Sequence, residues 1–230
     1  MMTSLADGYR ALVIGSSGGI GSAVARLLQA DKRCAEVVGL SRSTDGLDIT
    51  DDASVHDALG RLEGDFQLIF CATGALTIDG VGPEKALKQL SADAMMKQFA
   101  LNALGPALVL KHVATKLPRR DRGLMAFLSA RVGSIGDNHL GGWVSYRASK
   151  AALNQIVRTA SIELGRTHPQ SVLAALHPGT VATSLSDDYA GGRDRFLPEE
   201  SATRMLSVLD RLQPAQSGSF HAYDGSSIEW

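Results

Sequence analysis

Short apolar runs of strand length are separated, almost without exception, by stretches with helical spacing, and this alternation limits the folds open to the chain more than any other feature. ALVIG (11–15) is followed by GIGSAVARLLQA (19–30), EVVGLSR (36–42) by DDASVHDALGRL (51–62), and FQLIFCAT (66–73) by a Gly/Pro-containing loop. SADAMMKQFALNALGPALVLKHVATKL (91–117) is expected as one long helix, GLMAFLS (123–129) as a strand, and a second long helix is expected from about Ser145 to Gly165. SVLAALHPG (171–179), PEESATRMLSVLDRL (198–212) and GSFHAYDG (218–225) read as strand, helix and strand. The strands are apolar throughout rather than at every second residue, so both of their faces are buried. Helical crossovers between such strands imply an α/β fold, a doubly wound parallel sheet covered by helices on both sides. One domain spanning 1–230 is expected, a length that still closes around a single core.

Composition narrows the function. With 23 basic against 24 acidic side chains the chain has no field to recruit nucleic acid or an anionic lipid surface, so neither is an expected partner. Cys34 and Cys71 lack metal-ligand spacing, as do the six histidines, and two cysteines make no disulfide framework; reduced thiols and no metal are expected. No apolar run approaches the roughly 18 residues of a membrane span, and MMTSLADGYR carries no apolar signal core, which makes the cytoplasm the expected compartment.

The first strand runs into GSSGGIG, with Gly15, Gly19 and Gly21 spaced around Ser17 and Ile20. Between a strand and a helix, such a loop lets a pyrophosphate approach the helix N-terminus, where free N–H groups and the helix dipole favour an anion. Arg42 follows the second strand, where folds of this kind that prefer NAD place an acid for the ribose 2′-hydroxyl; a cation there suits the 2′-phosphate of NADP instead. NADP is therefore the expected cofactor, with NAD as the alternative. Asp48, in LDIT, is a candidate edge for the adenine ring.

Tyr146 and Lys150 stand four residues apart in YRASK, hence on one helix face. A phenol near pKa 10 is a poor acid at neutral pH, but each unit of downward shift needs only about 1.4 kcal/mol in favour of the phenolate. A neighbouring ammonium and a cationic nicotinamide in a water-poor cleft are expected to supply it, making Tyr146 a proton donor to a carbonyl. In QFALNALGP, Pro106 has no N–H for the Asn102 carbonyl and its ring crowds that oxygen. The expected kink leaves the Asn102 backbone to hold a water that passes protons toward Lys150.

Taken in order, GSSGGIG, DIT, LNALG, YRASK and HPGTVATS resemble the short-chain dehydrogenase/reductase family over nearly the whole chain, most closely its small carbonyl-reductase-like members related to sniffer and to the C-factor signalling protein. The resemblance implies a Rossmann-type sheet, a nicotinamide cofactor, a small carbonyl or alcohol substrate and an Asn-Ser-Tyr-Lys group, of which Asn102, Tyr146 and Lys150 are present. It implies that Lys150 also holds the cofactor ribose, and that Pro178, Gly179 and Thr183 pack beside the nicotinamide. Pairing of the two long helices between subunits, as a homodimer or homotetramer, is implied in the same way. Two departures stand out. CATG, Cys71 to Gly74, keeps only the glycine of the family's NNAG, and the serine position falls on Ala130, whose methyl cannot bond a carbonyl oxygen. Ser129 is the favoured replacement, Ser134 the second. The third possibility is that no serine serves and the chain is a cofactor-binding sensor or signalling protein with vestigial catalysis. His139 and Trp143 are weaker candidates for the substrate mouth, His177 is expected to pack at a strand end, and 184–197 to form a lid carrying Tyr189, Gly191, Gly192 and Phe196.

Overall fold

The computed structural model describes residues 2–183, 189 and 194–230. Six strands, β1 (Tyr9–Ile14), β2 (Cys34–Leu40), β3 (Leu68–Cys71), β4 (Gly123–Leu128), β5 (Ser171–His177) and β6 (Ser219–Ala222), form one sheet in the order β2-β1-β3-β4-β5-β6. Every neighbouring pair is parallel, as the apolar strands require. The crossovers are helices: α1 (Gly19–Gln29), α2 (Arg42–Asp45), α3 (Asp52–Gly60), α4 (Ala92–Phe99), α5 (Gly105–Val113), α6 (Val144–Leu164) and α7 (Pro198–Arg211).

Side-chain alternation divides each buried strand between two cores. Ile14, Ile69, Met125, Phe127 and Ala175 face Val55 of α3, Val109 of α5 and Leu153 of α6. Val13, Phe70, Ala126 and Ala174 face Val24 and Leu28 of α1 and Met205 and Leu209 of α7. A fully buried side chain of the size of Phe70 or Phe127 contributes about 1.5–3 kcal/mol through burial alone, so the sheet is held from both sides.

The chain leaves β1 for β2 on one side and returns through β3 on the other, which opens a crevice above the C-terminal ends of β1 and β3. Into that crevice run the glycine loop after β1 and the CATG segment after β3.

The expected single helix over 91–117 is divided. Ala100–Leu104 is a π turn between α4 and α5, with the Gly105 N–H donating to the Ala100 carbonyl five residues back, and Ala114–Lys116 ends the run as a 3₁₀ turn. Pro106 is the cause, since it brings no N–H to the Asn102 carbonyl and its ring needs room there. LDIT buries Leu47 and Ile49 in the core without joining the sheet.

Of the expected lid, 184–188 and 190–193, including Gly191 and Gly192, lie outside the described residues. Phe196 bridges Val181 and packs 4.6 Å from the Tyr223 ring, which makes it part of the framework rather than of a lid.

Candidate active site

Helix α6 buries a polar stripe at helical spacing: Ser145, Tyr146, Ser149, Lys150, Asn154 and Ser161. The stripe faces the sheet because apolar Leu153 and Val157 lie within it and pull that face into the core. Lys150 is only 3% exposed, and its Nζ donates to the Leu128 carbonyl at 3.0 Å, at the end of β4. Burial pushes its ammonium down to about 8, while the nearby Cys71 thiol works in the opposite direction.

Tyr146 is buried and its hydroxyl makes no hydrogen bond to a described residue, while the Lys150 Nζ sits 5.9 Å from its ring centroid. Burial pushes the phenol up, whereas the expected downward shift counts on the charge of a bound nicotinamide as well as on Lys150. Withdrawal from water penalises the phenolate and the ammonium alike. Trp143 (ring centroids 6.3 Å apart) flanks Tyr146, and Tyr189, 5.6 Å beyond, reaches the Thr77 hydroxyl at 2.7 Å. Trp143 is thus half-buried beside Tyr146 rather than in the core, and His139 is exposed nearby in sequence.

Asn102 is fully buried in the π turn. Its Oδ1 accepts from the Ala75 N–H (3.0 Å), and its Nδ2 donates to the Ala75 carbonyl (2.9 Å) and to Gln98 Oε1 (2.6 Å). Gln98 Nε2 in turn donates to the Leu76 carbonyl at 2.8 Å. Two amides one helical turn apart therefore clamp the loop that follows CATG. Gly74 adopts φ +143°, and a Cβ there would lie 3.0 Å from both Asn102 Oδ1 and Lys150 Nζ, so only glycine lets these groups converge.

The serine candidates are placed less favourably. Alternation puts Ser129 on the α6 side of the sheet with Met125 and Phe127, but its hydroxyl proton goes to Asn154 Oδ1 at 2.6 Å, and Asn154 Nδ2 points to the Gly133 carbonyl at 3.4 Å. Ser134 is buried, with its Oγ accepting from the Asp137 N–H at 3.0 Å. His177 ends β5 with a buried Nδ1 that has no partner, and burial pushes its ring down to about 4.

On the other side of the crevice, Gly15 has φ +84° and a Cβ on it would lie 3.0 Å from the Ala72 backbone, so the glycine loop abuts CATG. Helix α1 has Gly18 as its N-cap, with no side-chain cap and no acid in the first turn, and Ser17, Gly18 and Gly19 are exposed. The N–H groups of Gly19, Ile20 and Gly21 therefore open the helix to an anion. A Cβ on Gly19 would lie 2.6 Å from Thr183 Cγ2, which brings the PGTVAT element onto the same loop. Pro178 is fixed through its carbonyl by the Ser201 hydroxyl (2.7 Å), and Gly179 (φ +79°) passes against Phe196 and Tyr223. Arg42 begins α2 directly after β2, exposed, with no side-chain hydrogen bond or ion pair among the described residues. Asp48 accepts from the Thr50 N–H (2.9 Å) and hydroxyl (2.7 Å), bonds that hold its carboxyl below the ordinary range.

Gln98 and Asn154 were not singled out by sequence. Their signal was nonetheless there: each is polar and stands four residues from a site residue, hence on the same helix face.

Residues 9–193 match the family model for short chain dehydrogenase. The chain is 33% identical over 188 residues, 80% of its own length and 79% of the relative's, to 1-hydroxy-2-glutathionyl-2-methyl-3-butene dehydrogenase of Rhodococcus sp. (strain AD45). It is 39% identical over 138 residues to the C-signal protein of Myxococcus xanthus, covering 59% of this chain and 78% of that one. The fold superimposes on NADPH-bound carbonyl reductase from chicken fatty liver with a TM-score of 0.83 at 24% identity, covering 98% of this chain and 95% of that one. The chain is an oxidoreductase that belongs to the short chain dehydrogenase family.

Proposed function

We propose that this oxidoreductase moves a hydride between NADP(H) and a small carbonyl or alcohol, with Tyr146 as the proton donor in reduction. The observation that carries the reading is continuity: the open first turn of α1 adjoins Gly15, Gly15 abuts Ala72, and two residues on Gly74 touches both Lys150 Nζ and Asn102 Oδ1. A dinucleotide laid along that line joins the anion site to the phenol and the amine.

The residues present fit the cofactor. Gly19, Ile20 and Gly21 would take the pyrophosphate on their N–H groups beside Gly15 and Ser17, Arg42 a 2′-phosphate, Asp48 the adenine edge, and Pro178, Gly179 and Thr183 the nicotinamide side. Bound NADPH supplies the hydride. Every other duty falls to the chain. Lys150, already inside the crevice, holds the ribose and offers its charge to the phenolate as Tyr146 releases its proton to the substrate oxygen. Burial disfavours the phenolate, so the charges of Lys150 and of the bound nicotinamide ring would be what eases release of the Tyr146 proton. The π turn presents the Asn102 carbonyl for a water that resupplies the proton through Lys150. Ser129 serves the substrate oxygen only by exchanging its bond to Asn154, since Ala130 offers a methyl.

The NADPH carried by the chicken carbonyl reductase supports the cofactor assignment. A groove of about 520 Å³ along α5 and α6, lined by Ala107, Leu110, Ala114, Ile156 and Ala160, supports a homodimer or homotetramer. The cytoplasm, favoured by two free cysteines, is the proposed compartment; no helix among the described residues is long and apolar enough to cross a membrane.

The test is NADPH oxidation across a panel of aldehydes and ketones. Tyr146→Phe is expected to lower kcat/KM on the order of 10³-fold with little change in NADPH affinity. Tight NADPH binding with no turnover of any carbonyl would overturn the proposal and favour the sensor reading.

A further inference from the structure

Helix α6 is 21 residues long, yet its N-cap residue, Trp143, offers no side-chain cap and its first turn contains no acid. Its backbone enters left-handed, with φ of 64° at Gly141, 67° at Gly142 and 53° at Trp143, a conformation a tryptophan holds only under constraint. The constraint is Glu84, from the loop after β3. Its carbonyl accepts the Trp143 N–H at 2.5 Å, its Oε2 accepts the Ser145 N–H at 3.2 Å, and its Oε1 accepts the Ser145 hydroxyl. Glu84 as a whole is 7% exposed. Burial acts to raise its pKa, but the Ser145 bonds more than offset this and hold it below the ordinary range, so it is ionised at the positive end of the helix.

Ser145 immediately precedes Tyr146, whose own hydroxyl has no hydrogen-bond partner among the described residues. The direction of the phenol is thus set by the first turn of α6, and Glu84 fixes that turn. The same loop is tied at its other end by Asn102 to Ala75 and by Gln98 to Leu76. We infer that Glu84 is a positioning residue for Tyr146: a buried carboxylate borrowed from a distant loop to cap the helix that carries the proton donor. This rests on the reading of Tyr146 as that donor.

Glu84→Ala, Glu84→Gln, Ser145→Ala and the Glu84→Ala/Ser145→Ala double variant are compared by steady-state kinetics, NADPH titration and amide hydrogen exchange. Misplacing the phenol predicts a kcat for Glu84→Ala lower by about 30-fold, while NADPH affinity stays within about twofold. Glu84→Gln, whose amide oxygen still accepts the Ser145 N–H, recovers most of the rate, and the double variant is no slower than Glu84→Ala alone. Hydrogen exchange in Glu84→Ala accelerates at 145–147 but not at 155–164. The proposal is overturned if Glu84→Ala keeps kcat within twofold, if kcat and NADPH affinity fall together, or if exchange at 145–147 is unchanged. Should wild type turn over no carbonyl, the reading of the activity fails separately, and hydrogen exchange alone decides whether Glu84 fixes the turn.

Discussion

Helix α1 begins at Gly18 with its first turn left open to solvent, whereas α6 begins at Trp143 with its first turn closed by the Glu84 carboxylate. Both termini carry the same unsatisfied N–H groups and the same partial positive charge. The first leaves them for a ligand, at the cost of the stability a cap would add. The second spends them on the protein itself and gains a fixed direction for Tyr146.

Closing the open terminus is the strongest way to break this contrast. Gly18→Asp puts a carboxylate where α1 now has none, at a backbone geometry (φ −75°) that aspartate adopts freely. NADPH affinity is expected to fall on the order of 10³-fold, since like charges set in contact cost several kcal/mol. The melting temperature holds or rises slightly, because aspartate caps a helix better than glycine does. A titration showing binding within tenfold of wild type would mean that α1 does not face the cofactor.

The closed end is tested through the charge one turn below it. The Lys150 ammonium falls from 10.5 to about 8 in the folded protein, so between these values the unfolded chain binds a proton the folded chain does not. Stability relative to Lys150→Met therefore rises with pH across that window, by about 3 kcal/mol at full extent. Urea denaturation of the cofactor-free proteins at several pH values reads this slope, and a flat difference would show that the amine stays charged when buried.

The smallest effect lies at the edge of the open side. Arg42→Ala removes the cation after β2, and the preference for NADPH over NADH is expected to drop about tenfold, the value of one charge-assisted hydrogen bond. An unchanged preference would place the 2′-phosphate elsewhere.

Much of this molecule was legible in the order of its residues. Uniformly apolar strands and helices of period 3.6 set the parallel sheet, and GSSGGIG marked the open terminus because glycine between a strand and a helix is a local feature. Tyr146 and Lys150 were legible because four residues define a helix face whatever surrounds it. Illegible were the break of 91–117 into α4, a π turn and α5, the alignment of Ser129 with Asn154, and the role of Glu84. Each depends on which distant segment arrives at a given place. Pro106 announced a disturbance, but whether the helix kinks or widens is decided by the packing around Asn102.

The sequence by itself determined the sheet, the open glycine turn before α1 and the placing of phenol and amine on one helix face, because spacing along the chain is enough to fix a strand, a turn or a helix face. Only the tertiary structure decided how deeply that pair is buried and which partner closes α6. Burial is a property of everything packed around a group, and it pushes Tyr146 up and Lys150 down. Glu84 reaches Ser145 across 61 residues of chain, a meeting that no local pattern encodes.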